Sequence, residues 1–151
     1  MKQIKIWLGL ALLLLSVQVQ ASQMIMVRVS QSFPEAMLGL QASIVKQGYT
    51  VSRVQRVDIG LTNSGFQTDK YRVVFFGKAD EVERLTNKYP QLIPYLPWKV
   101  VIFAEQDETL IVAHDPVTFS SFFPDPELVR TFKLWRQDLV EMLERVRDAG
   151  E

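Results

Sequence analysis

The chain has no cysteine and only one histidine, His114, in 151 residues. Without thiols there is no thiol nucleophile, thiolate zinc site, iron–sulfur cluster or redox pair. A single imidazole leaves a protein-only catalytic zinc site or a multi-histidine copper site short of ligands. No Cys-x-x-Cys-His run offers haem attachment, and no cofactor motif is present. An excess of positive charge is also missing, since 17 Lys and Arg face 17 Asp and Glu. Dedicated nucleic-acid binders show basic excess, so nucleic acid is not an expected partner. What is present is 48% apolar residues, enough for a domain of this size to bury a core without metal or disulfide staples.

The first 21 residues read as a secretory signal peptide. Lys2 and Lys5 form a positive start, Ile6 to Val17 an apolar run, and Val19-Gln20-Ala21 a small-residue cleavage site ahead of Ser22. The apolar run is about 12 residues, against roughly 20 for a spanning helix, so cleavage is expected and not a stable membrane anchor. No cysteine follows it, which excludes a lipoprotein. The expected product is an exported, periplasmic or secreted chain of residues 22–151. The leader carries two lysines and no acid, so 15 basic groups would then face 17 acidic ones.

Within residues 22–151 the pattern predicts a single α+β domain. Met24 to Ser30 alternates as a strand with Ile25, Val27 and Val29 on one face. Ser32-Phe-Pro-Glu35 has capping-box spacing, Phe33, Met37, Leu40 and Ile44 mark a helix face, and Gly48 stops it. Tyr49 to Asp58 reads as a half-exposed strand, Gly60 to Lys70 as a loop, and Tyr71 to Phe76 as a strand ending at Gly77. Asp80 to Tyr89 fits a helix capped by Asp80, with Val82, Leu85 and Tyr89 inward. Three prolines lead to Trp98 to Ala104, which pairs with Leu110 to His114 across a polar turn. A last helix, about 125–148, starts with Asp125 as N-cap and Pro126 in the first turn. Its stripe is Leu128, Phe132, Trp135, Leu139, Met142 and Val146. The fold class is therefore an antiparallel sheet in β-α-β-β-α-β-β order with an added C-terminal amphipathic helix.

Two strands carry a further implication. Val73 and Phe75 oppose Val74 and Phe76, and Val100 and Ile102 oppose Val101 and Phe103. Strands apolar on both faces need cover on both faces. The two inner helices would cover one. The C-terminal helix, a second subunit, or both would cover the other.

The order of features also resembles the prokaryotic family called domain of unknown function 302 (DUF302). The resemblance rests on Gly48-Tyr49, Tyr71 to Gly77, Leu96-Pro97 before Lys99-Val100-Val101, and an acidic turn Glu105 to Glu108. Thr109 to Ala113 and Asp115-Pro116 complete it, and it covers about residues 24–119. Lys78-Ala79 stands where members often carry Asn-Pro, Gly60 to Lys70 is shorter than in many, and the last helix lies outside the resembling core. The resemblance implies a compact α+β domain, often paired as a homodimer. It brings no activity and no catalytic residues.

Candidate chemistry is sparse. His114-Asp115 is a possible acid–base pair for a small hydrolase or isomerase, with Ser120 or Ser121 as nucleophile. Neighbours on a strand point to opposite faces, however, and Asp115-Pro116 also fits an ordinary strand end and turn. A metal held by His114 with Asp115 or Asp58 is ligand-poor. Met24, Met26 and Met37 fit core filling better than copper ligation. Arg72 and Lys99 on one sheet, beside Tyr95 and Trp98, could form an aromatic wall with two cations for a small anionic or aromatic ligand. Snorkelling cations and a packed Trp are the ordinary alternative. The expected function is non-enzymatic: self-association as a homodimer, or binding of a small ligand or envelope partner, with no cofactor.

Overall fold

A computed structural model describes residues 23–150. The leader and its cleavage site lie outside the described residues. In chain order the elements are β1 (Met24–Val29), α1 (Phe33–Lys46), β2 (Thr50–Arg56), α2 (Val57–Asn63), β3 (Tyr71–Gly77) and α3 (Ala79–Lys88). There follow β4 (Trp98–Glu105), β5 (Glu108–His114) and α4 (Pro126–Asp148), with 3-10 turns at Pro90–Tyr95 and Pro116–Ser121. The strands make one antiparallel sheet in the order β1-β5-β4-β3-β2. The expected α+β class is the observed one. Among the described residues no helix is long and apolar enough to cross a membrane.

Helix α1 begins as its spacing demands. The Ser32 amide and hydroxyl donate to Glu35 Oε2 at 3.1 and 2.6 Å, which holds the Glu35 carboxyl below its ordinary range. It ends at Gly48, whose φ of +83° lies in the left-handed region that glycine enters without a Cβ penalty. In α4, Asp125 Oδ1 accepts from the Glu127 and Leu128 amides at 2.8 and 3.4 Å. All six residues of its predicted stripe are buried.

Three local expectations are corrected. The strand expected to reach Asp58 ends at Arg56, and part of the expected Gly60–Lys70 loop is α2. That helix buries no residue, so no apolar stripe announces it. Thr62 Oγ1 instead donates to the carbonyl of Asp58 one turn back, at 2.8 Å. Helix α3 begins one residue early, with Lys78 at the N-cap position. Asp80 therefore sits in the first turn, where a carboxylate still opposes the helix dipole.

Among the described residues the main core lies on one side of the sheet, and Leu110, 7% exposed, is the buried apolar residue of the other. Val74, Val100, Ile102 and Ile111 are at most 1% exposed beneath the helices. Helix α4 packs beside α1 on this same side, where Ser43 Oγ donates to Met142 O at 2.8 Å. The C-terminal stripe is thus satisfied within the monomer, and α4 does not cover the opposite face. Helix α2 reaches Arg72 through Asp58, again on the side of Ile102. Among the described residues, no helix packs on the other side.

Candidate functional site

The uncovered side follows from strand alternation and register. Val73 pairs with Val101, Val101 with Val112, and Val112 with Met26, giving one apolar row across four strands. Tyr71, Phe103 and Leu110 make a second row ending at Arg28. Val73, Phe75, Val101, Phe103 and Val112 are only partly covered. Met24 and Met26, expected in the core, are 46% and 53% exposed, because their positions on β1 point to this side. Met37, on α1, does pack partly buried against the core.

The two ends of this face differ in charge. At the β4–β5 turn, Glu105 and Glu108 share Arg28, leaving one negative charge in excess. At the opposite end stand Lys99 on β4 and Arg53 on β2, both exposed, with no carboxylate within ion-pair distance of either among the described residues. Down β4 the side chains on this face run Lys99, Val101, Phe103, Glu105. Down β5 they run Glu108, Leu110, Val112, His114.

A cavity of about 410 Å³ opens at the cationic end. It gathers Tyr95, Trp98 and Lys99, three of the four ligand-binding residues expected from sequence, and adds Phe75, His114 and Phe119. The Phe119 ring is central, with centroids 4.9 Å from Tyr95, 5.7 Å from Trp98 and 5.1 Å from His114. The sequence signal for it is the run of Phe119, Phe122 and Phe123 in what otherwise reads as a turn. The Trp98 ring is 9% exposed and packs edge-on against Trp135 at 4.9 Å. Its Nε1–H has no acceptor among the described residues.

Arg72, the fourth expected residue, is not brought there. Phe75, not Arg72, pairs with Lys99, and Arg72 pairs with Ile102 on the helix side. There it bonds Asp58 and lies 5.7 Å from the Phe33 ring centroid. The ion pair with Arg72 holds the Asp58 carboxyl below its usual range. Asp58 is thus occupied far from His114.

His114 and Asp115 do not converge. His114 is exposed, and its Nε2 lies 2.6 Å from Thr118 Oγ1. The same hydroxyl lies 2.7 Å from Asp115 O. Asp115 is buried and fully engaged: Oδ1 accepts from the Val117 amide at 3.0 Å and Oδ2 from Arg136 Nε at 2.8 Å. It caps the turn that follows β5 and orients no base. Ser121 Oγ donates to Thr118 O at 2.9 Å, and Ser120 Oγ is buried with no partner among the described residues. Among the described residues, no three His, Asp or Glu side chains cluster as metal ligands.

The molecule is thus a small α+β domain whose sheet is covered on one side and carries an aromatic cavity at the cationic end of the other. The family model for domain of unknown function DUF302 matches residues 25–149, and the chain belongs to that family. The match includes α4, which the resemblance in sequence had left outside the family core. Among solved structures the chain is similar to an uncharacterized conserved DUF302 protein from Bacillus stearothermophilus, with a TM-score of 0.77 and 23% identity. The similarity covers 84% of this chain and all of that one, and at that identity it is a likeness of fold. Among curated proteins no match was found.

Proposed function

We propose that this protein is an exported domain that works as a homodimer, with the uncovered sheet faces of two copies packed together. The carrying observation is the face itself: a central apolar patch with opposite charge at its two ends. A two-fold axis lying between the sheets and crossing the strands stacks each strand antiparallel on its own copy. That places Lys99 of one protomer over Glu105 of its partner, and the reverse, while Val101 meets Phe103. Two sheets stack about 10 Å apart with strands within about 30° of alignment. A second copy is favoured over an unlike partner because one symmetric operation satisfies both ends of the face at once.

Five strands at about 4.8 Å spacing and about 20 Å length present a footprint of roughly 500 Å². That is the small end of specific interfaces, so the dimer dissociates on dilution. Export is supported by the leader-like pattern, and the described sheet, which begins with β1 at Met24, lies wholly after the expected cleavage at Ala21. Sedimentation of residues 22–151 over a dilution series tests self-association. The expected result is a dimer at high concentration that gives way to monomer on dilution. Phe103→Lys places a charge at the patch centre beside Glu105, and Val112→Lys does so on the next strand. Both are expected to be folded monomers by circular dichroism and sedimentation. A wild-type chain that stays monomeric throughout overturns the proposal.

A further inference from the structure

We infer that the cavity at the cationic end of the open face binds a small aromatic carboxylate. Its volume, about 410 Å³, lies in the range of small-molecule sites and suits one or two fused rings. Its walls are rings already set edge-to-face: Tyr95 and Phe119 with centroids 4.9 Å apart, and Trp98 behind them. A planar aromatic guest continues that packing better than an alkyl chain. Lys99 has no ion-pair partner among the described residues, His114 stands at the rim, and no lining residue is acidic. The buried Trp98 Nε1–H lacks an acceptor, although buried donors in native proteins are nearly always satisfied. An anion beside Lys99 would meet the cation. The ordinary alternative, a snorkelling lysine and a packed Trp, accounts for the ring contacts but leaves Lys99 beside an open aromatic cavity without a counter-charge among the described residues.

This inference stands apart from self-association. Lys99 would serve the partner's Glu105 in the dimer and the ligand in the cavity, so the test uses Phe103→Lys as well as wild type. Residue 103 does not line the cavity. Residues 22–151 are titrated calorimetrically with phenylacetate and indole-3-acetate, and with phenylacetamide and indole-3-acetamide as uncharged matches. The Trp98 indole N–H resonance is followed in parallel. At least one acid is expected to saturate below about 10 mM, and its amide to bind about tenfold more weakly. Lys99→Met should abolish that difference, and the Trp98 N–H should shift with the same saturation curve. Arg130→Gln, an exposed cation on α4 away from the cavity, should bind as wild type does. No saturation by either acid, equal binding of acid and amide, or an unchanged preference in Lys99→Met overturns the inference.

Discussion

Glu127 draws three donors to the start of α4. Arg84 Nη1 lies 2.6 Å from Oε1, while Lys88 Nζ and the Tyr89 hydroxyl reach Oε2 at 2.5 and 3.1 Å. Lys88 first and Arg84 second bring its carboxyl down to about 2. An unfolded glutamate titrates at about 4.3. The stability this cluster contributes is therefore present above about pH 4.3 and lost as the pH falls toward about 2. Glu127→Gln should be less stable than wild type near neutrality, and the gap should close on acidification. Urea midpoints from about pH 6 to about pH 2 check this; a gap constant with pH would contradict it. At this same scale the cavity was partly legible. Tyr95, Trp98 and Lys99 lie within five positions, so adjacency alone brought them together. Arg72 was misplaced because its face depends on Phe75, not Arg72, pairing with Lys99, a register that strand composition does not set. His114 and Phe119 joined the cavity through the 3-10 turn at Pro116–Ser121, whose path local pattern does not specify.

Among the elements, α4 anchors the core. Phe132 is 1% exposed and stacks with Trp135, Phe119 and Phe123 at centroid distances of 5.8 to 6.4 Å. Phe132→Ala should cost about 3–5 kcal/mol, the range for truncating a buried aromatic. A chain ending before Asp125 loses the α4 part of the core, including Leu128, Phe132, Trp135, Leu139 and Met142, and should not fold. Thermal unfolding of the first and circular dichroism of the second are the measurements, and a cooperative transition in the truncated chain would contradict this role. Helices α1 and α4 were readable because each combines a capping signal with a regular apolar stripe. Helix α2 was not, because it buries nothing and is held by side chain-to-backbone bonds such as Thr62 to Asp58. The α3 boundary slipped because Asp80 suits the first turn as well as the cap.

At the scale of the whole fold, the dominant fact is that among the described residues no helix covers one side of the sheet. Alternation in β3 and β4 already required cover on both faces. Only tertiary packing could show that α1 and α4 share one side and leave Val73, Val101, Phe103 and Val112 without a helix. The family match and the likeness to the Bacillus stearothermophilus structure establish the fold and leave that open face to be explained. The antiparallel stacking proposed for it makes a demand that no other packing of the face shares: position 99 must meet position 105 of the partner, twice. Lys99→Glu alone sets acid against acid at both contacts, and Glu105→Lys alone sets base against base. Mixed together, each mutant supplies what the other lacks. Native mass spectrometry of the two variants, separately and mixed, measures this directly. Antiparallel stacking gives monomers from each variant alone and a mixed dimer from the pair; a mixture that dimerises no more than its components would contradict that stacking.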